Sequence, residues 1–326
     1  MHWLKLLADA LGRIGRHGTL VVAGSVFVGL AIPPLAAVLK PTLGAAIVLL
    51  LVLAFLRVDP IELRRYFVQP KLIAAATLWV MVICPLALGA IFLGLGLPHF
   101  SPGLHFILVL QICATSTMSS PAMAALLGLD VALTLGSLVV AMVISPLTAA
   151  FFTHLFLGTS VISPAGFGLK LVLIIGGAAL AASLFRRFAG RERLERRREQ
   201  IDGLSVLAML LFAIAAMDGV TAHAIADPLL VAGLAALAFA IALGLIAVST
   251  LLFLPAGRHR ALAVGLTAGS RNIGLMLTAI GFAVPDISWL YFALAQLPIF
   301  MLPHMLKPLA RRFATAEPAL RRPGAA

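Results

Sequence analysis

Thr267-Ala268-Gly269-Ser270-Arg271-Asn272-Ile273-Gly274 stands in the middle of an apolar run that reaches from Ala261 to Ala283. A run of about 20 apolar residues is what one helix needs to cross a bilayer. Two glycines and an Arg-Asn pair interrupt this one at its centre. Arg271 follows Ala261 by about ten residues, which at a helical rise is roughly 15 Å, or near midplane. An arginine at that depth costs about 2.5–3.5 kcal/mol on insertion scales. Its guanidinium reaches only about 6–7 Å, so it cannot snorkel to the surface. Two uses remain open: holding a solute, or bonding backbone carbonyls freed by a nearby helix break.

A second interruption lies far upstream. Cys113-Ala114-Thr115-Ser116-Thr117-Met118-Ser119-Ser120-Pro121 carries five hydroxyls in six residues and then a proline, inside the run 104–128. Pro121 cannot donate a backbone hydrogen bond and crowds the preceding turn. Carbonyls freed at membrane depth need other partners, which hydroxyls or a wet cavity supply. Pro121 precedes Asp130, at the end of its run, by nine residues. Both breaks therefore fall at about the same depth.

The rest of the chain has the composition of a bilayer protein. Of 326 residues, 62% are apolar and 11% charged, and the mean hydropathy is +1.11. A soluble domain of this size carries far more charge. The net charge of +12 does not point to nucleic acid as a partner, because the basic residues sit in short gaps between apolar runs, where they set orientation. Cys84 and Cys113 both lie inside apolar runs, with no spacing that suggests a disulfide framework or a zinc site. Met1–His17 lacks a small-x-small cleavage site, so the first apolar run reads as a retained helix.

Ten spans are predicted, at 19–38, 41–56, 72–96, 104–128, 131–157, 166–185, 201–217, 228–254, 261–283 and 287–307. With the N-terminus inside, the inner segments hold Lys5, Arg13, Arg16, Arg57, Arg64, Arg65 and Lys71. They also hold the run Arg186–Arg198, then Arg258, Arg260, Arg311, Arg312, Arg321 and Arg322. The outer loops hold Lys40, with Lys170 near the start of the sixth span. This asymmetry predicts a multi-pass protein of a bacterial-type cytoplasmic membrane with both termini cytoplasmic. Residues 186–200 form a basic linker, read as a short solvated helix, and 308–326 a cytoplasmic tail. The linker separates 1–185 from 201–307, five spans each. An odd-numbered unit repeated once inserts upside down. The predicted fold is thus all-α, with 5+5 inverted repeats whose fourth and ninth helices are interrupted and cross, the plan of many secondary transporters.

The interruptions supply the candidate solute contacts: Thr115, Ser116, Thr117, Ser119, Ser120, Thr267, Ser270, Arg271 and Asn272, with Pro121, Gly269 and Gly274 breaking the helices. Gln111 and Gln296 either line the same cavity or bond between helices. Asp130 is read as the cap of the fifth span, and Asp218, His223 and Asp227 as an exposed polar loop rather than a cation site. His105, His154 and His304 are expected at the interface. There is no HExxH, no GxSxG and no aspartate pair within a span, so an enzyme is not expected. No cofactor is implied, and no oligomeric state.

Three features resemble the bile acid:sodium symporter family and the wider superfamily that includes arsenite exporters: the 5+5 layout, the stretch Cys113–Asp130-Val131-Ala132-Leu133-Thr134, and Gly269-Ser270-Arg271-Asn272-Ile273-Gly274-Leu275. The resemblance implies a panel domain against a core domain, with the fourth and ninth helices unwound and crossed in the core. Sodium-using relatives carry a glutamate, a glutamine and an asparagine where this chain has Thr267, Arg271 and Asn272. Their Ser-Asn pair falls on Ser120 and Pro121, within one residue. Only the asparagine and the serine are kept, and a fixed positive charge at Arg271 repels a cation. The expectation is a secondary transporter of a small organic anion, held by the planar fork of Arg271, with sodium coupling of the usual kind weakened or absent. An arsenite-type exporter using Cys113, or a sodium symporter with neutral-oxygen sites, are the alternatives.

Overall fold

The computed structural model describes residues 18–57, 69–158 and 162–315. Lys5, Arg13, Arg16, Arg64, Arg65, Arg321 and Arg322 lie outside them. Within the described residues the chain is all helical. We number the helices α1 Gly18–Ala31, α2 Pro33–Arg57, α3 Pro70–Gly94, α4 Pro102–Cys113, α5 Ser120–Leu126, α6 Val131–Leu157, α7 Pro164–Ala189, α8 Arg191–Arg196, α9 Arg198–Ala216, α10 Val220–Ala226, α11 Pro228–Phe253, α12 Arg258–Gly269, α13 Ile273–Ile280, α14 Asp286–Leu294, α15 Gln296–Met305 and α16 Lys307–Thr315.

Six helical stretches are long and apolar enough to cross a membrane: α2, α3, α6, α7, α9 with α10, and α11 with the turn after it. A seventh is reached if Asp286–Leu302 and Lys307–Phe313, bent by 42°, count as one span. Their outward faces are apolar: Val143, Leu147, Phe188 and Leu229 are each more than 70% exposed. In water such faces would aggregate; in lipid they are satisfied. The structure supports a multi-pass membrane protein.

The count falls short of ten for local reasons. Two predicted spans are split into pairs of short helices, α4 with α5 and α12 with α13. The first span also ends early. Its apolar run extends to 38, with the turn expected after it, whereas the helix breaks at Ile32, with φ −126° and ψ 71°. Pro33 and Pro34 cause this, since proline disfavours the helical region for its predecessor and opens helices well. The helix then runs unbroken from Pro33 to Arg57. The linker is likewise shorter than 186–200: α7 continues through Ala189, Gly190 turns with φ 78°, and α9 starts at Arg198. The fifth span matches at 131–157, opened as expected by Asp130, whose Oδ1 accepts from Leu133 N at 2.9 Å.

The helices pack in two sets. In one, α1 and α2 lie along α9, and α7 lies along α2. In the other, α6 packs on α3, α4 and α12, while α14 packs on α4 and α11, and α11 on α12. The sets meet where α6 packs on α7 and where α13 packs on α2 and α7, while α5 packs on α6 and α12 of the second set.

Candidate functional site

The site begins with a helix that changes pitch. Trp79–Ile83 in α3 is a π-helical segment, in which Cys84 N donates to Trp79 O, five residues back. The next donor in that register would be residue 85, a proline without an N–H. Val80 O is therefore left open at membrane depth. Two more carbonyls are open nearby: Ala114 O, where α4 stops, and Ala268 O, in the last turn of α12, where helices always leave carbonyls unpaired.

Arg271 fills all three. Its Nε donates to Ala268 O at 2.7 Å, and its Nη1 donates to Val80 O at 2.9 Å and to Ala114 O at 3.0 Å. The residue is 1% exposed. The thiols of Cys84 and Cys113, both free and buried, lie beside the guanidinium. Its Nη2 and the hydroxyl of Thr115 have no hydrogen-bond partner among the described residues. The sequence left two uses open for this arginine, and the structure supplies the carbonyl contact. Those carbonyls are freed by Pro85 and by the two chain breaks, not by Pro121. Pro121 sits in the first turn of α5, where its missing N–H leaves nothing unpaired.

The two breaks meet. Residues 114–119 and 270–272 are non-helical and pair as an antiparallel bridge between Ser116 and Arg271. Thr117 N donates to Ser270 O at 2.9 Å, and Asn272 N to Thr115 O at 2.8 Å. Each break thus satisfies part of the other's backbone. Ser120, fully buried, bonds the hydroxyls of Ser116 and Thr117. Asn272 caps α13 through Leu275 N at 3.1 Å. Gly269 lets α12 press on α11: a Cβ there would lie 2.7 Å from Ala242 O. Gly274 faces Ile47 and Phe212 in the same way, a Cβ meeting Ile47 Cδ1 at 3.0 Å.

Two cavities adjoin the bridge. The smaller, about 70 Å³, is lined by Thr117, Ser119, Arg271, Asn272, Gly274 and Gln296 among others. The larger, about 470 Å³, lies between α2 and α9 on one side and α5, α6 and α15 on the other. They share Met118, Ser119, Met209 and Phe300. Pro121 lines the larger one. Five of the candidate contacts, Thr115, Ser116, Ser120, Thr267 and Ser270, are buried and line neither. Thr267 is committed to Ala263 O of its own helix at 2.9 Å. Cys113 also lines neither.

The larger cavity holds what sequence reading missed. Met118, Met123, Met142 and Met209 line it, with Arg57, Arg198, Asp202 and His304 also in its wall. Arg57 pairs with Asp202 at 2.8 Å. Methionine carries no motif, and Arg57 reads from sequence only as a topology signal. His304 faces this cavity instead of the interface. His105 is buried, its Nε2 3.1 Å from Phe156 O. Gln111 accepts from Tyr291 Oη at 2.6 Å, an interhelical bond, while Gln296 lines the small cavity. Asp218, His223 and Asp227 are not a cluster: they bond Lys40, Gly219 O and Leu230 N separately. Among the described residues no group of His, Cys, Asp and Glu is arranged to hold a metal. Neither any model of a known protein family nor any curated protein matches the chain.

Proposed function

We propose that this protein is a secondary transporter that carries a small organic anion through the 470 Å³ cavity, with the bridged helix breaks at its inner wall. The observation that carries the proposal is the backbone bridge between two interrupted helices at the edge of the 470 Å³ cavity. Non-helical backbone at membrane depth is tolerated where it is buried or lines such a chamber.

The packing supports ten spans as 5+5 inverted repeats. α1 lies on α9 as α7 lies on α2; α14 lies on α4 as α12 lies on α6; α3 packs on α6 as α11 packs on α14. Under a pairing of the first five spans with the last five, the members of each of these three pairs exchange. The two packing sets fit the panel and core that a likeness to the bile acid:sodium symporter family implies. In this reading the membrane is a bacterial-type cytoplasmic one, with the Arg57 end inside.

Charge favours an anion. Arg57 and Arg198 face one carboxylate, Asp202, in the cavity wall, leaving one net positive charge. The methionines give an apolar wall that reshapes around different bodies, in a volume suited to a ligand of ordinary metabolite size. Arg271 is spent on carbonyls, so it acts as a fixed charge behind the wall. It occupies the carbonyl cluster that a coupling cation would need, which makes usual sodium coupling unsuitable.

A thermal-shift screen of purified protein against carboxylates and sulfonates, with and without sodium, tests this. Stabilisation by an apolar-bodied anion, unchanged by sodium and lost in Arg198→Glu, is expected. Counterflow of that anion in proteoliposomes should follow. Strong sodium dependence removes the uncoupled mechanism, and absence of any anion binding or flux removes the carrier.

A further inference from the structure

The helix pair α2 and α9 runs antiparallel and is pinned at both ends. Arg57 pairs with Asp202 at one end, and Lys40 Nζ meets Asp218 Oδ2 at 2.9 Å at the other. Lys40 and Arg57 are about 25 Å apart along the helix at 1.5 Å per residue. The two ends differ in what lies across from them. At the Arg57 end the opposite helices stand away, and the 470 Å³ cavity fills the gap. At the Lys40 end an aromatic side chain from the other packing set closes it. Trp289, near the start of α14, donates from Nε1 to Asp218 O at 2.8 Å. The Lys40 ammonium sits over its indole, 4.3 Å from the ring centroid. Trp289 is itself wedged by Phe282 and Phe292, at 6.3 and 5.4 Å between centroids. One turn inward, Gly44 faces Phe282 and Thr278 across the seam between the sets, where a Cβ would meet them at ordinary contact distances of 3.5 and 3.9 Å.

The geometry points to Trp289, Lys40 and Asp218 as a gate that closes the end of the pathway opposite the cavity. The inference rests on the carrier reading, because a gate matters only if a solute passes. Each bond is of a kind that breaks and reforms readily. A cation over an indole at a partly exposed site and a single neutral hydrogen bond are each weak enough to break within the thermal range of a rocking motion. Together they hold two rigid sets shut at one end without locking them. Lys40–Asp218 lies within one set and stays made when the sets part; Trp289 is what leaves. Opening the Lys40 end therefore breaks the Trp289 contacts and slides Gly44 past Phe282 and Thr278, and the cavity end would close as the sets rock.

The test uses full-length protein in proteoliposomes, with Thr278→Cys as reporter at the Lys40 seam and Ala54→Cys in the cavity wall. An impermeant maleimide is applied to each face in turn, and the chain without reporters gives the background from Cys84 and Cys113. Trp289→Phe keeps a ring but loses the indole donor. It should raise Thr278→Cys labelling from the Lys40 face at least tenfold and lower Ala54→Cys labelling from the other. Lys40→Gln should do the same more weakly, and it serves if the Trp289 variants do not fold. Labelling at both positions unchanged in a folded Trp289→Phe or Lys40→Gln protein overturns the gate. Labelling that shifts as expected while no organic anion is exchanged by any variant upholds the gate, and it is then the carrier reading that fails.

Discussion

The two helix breaks meet in one bridge, yet they are built from different materials. The first, at 114–119, spends hydroxyls on one another: Ser120 with Ser116 and Thr117, and Ser119 Oγ with Thr117 Oγ1. Its helix α5 starts with no side-chain cap. The second, at 270–272, spends a charge and an amide on backbone: Arg271 on three carbonyls of three different segments, Asn272 on the cap of α13. Beyond the backbone bridge they share, the side chains of the second break support the first break and α3, while the hydroxyls of the first bond one another. A break that supplies strong donors becomes a junction, whereas one that supplies weak, mutually bonded hydroxyls stays adaptable and is the better surface to turn toward a solute.

Removing Arg271 should break this asymmetry most. Arg271→Ala leaves Val80 O, Ala114 O and Ala268 O without their donor, and losing such a buried charged network costs about 3–5 kcal/mol. Thermal unfolding in detergent should show it, and Arg271→Lys should recover only part, because an ammonium cannot reproduce the fork. A folded Arg271→Ala protein that melts with the parent would remove Arg271 as the junction. Gly269→Ala comes next. Its Cβ would press on Ala242 O and Ile246, an overpacking worth about 1–3 kcal/mol; a neutral result would mean α11 and α12 are not held as closely as described.

Asn272 and Ser119 give the cleanest contrast, since each precedes the second half of its broken helix. Asn272→Ala should cost about 1 kcal/mol, the usual value of a lost N-cap, with Asn272→Asp keeping most of it. Ser119→Ala should change stability by less than about 0.5 kcal/mol, as a substitution that removes no cap does, yet it should alter solute affinity because Ser119 borders both cavities. Equal losses at the two positions in urea or thermal unfolding would erase the distinction between junction and adaptable wall.

Much of this junction was legible in the chain. Hydropathy located both breaks, and counting residues from the span ends put them at one depth. The burial of Arg271 followed from the shortness of its side chain. The partner carbonyl on α3 was not legible, although Cys84-Pro85 in an apolar run carried the signal: a proline there must free a carbonyl a turn earlier. Thr267 returns its hydroxyl to its own helix, and composition does not say which way a threonine inside a helix turns.

The sequence alone determined that the chain is helical and apolar-faced, that two of its helices are broken at like depth, and that one break carries a buried charge. These properties are periodic or local, and period, hydropathy and proline chemistry are written in neighbouring residues. Only the tertiary structure decided what the charge holds, where the cavity lies, and which end of it is shut. Val80 and Arg271 are 191 residues apart, and Lys40, Asp218 and Trp289 come from three separated segments. Contacts at that range depend on how rigid helices dock, and no local pattern encodes the docking.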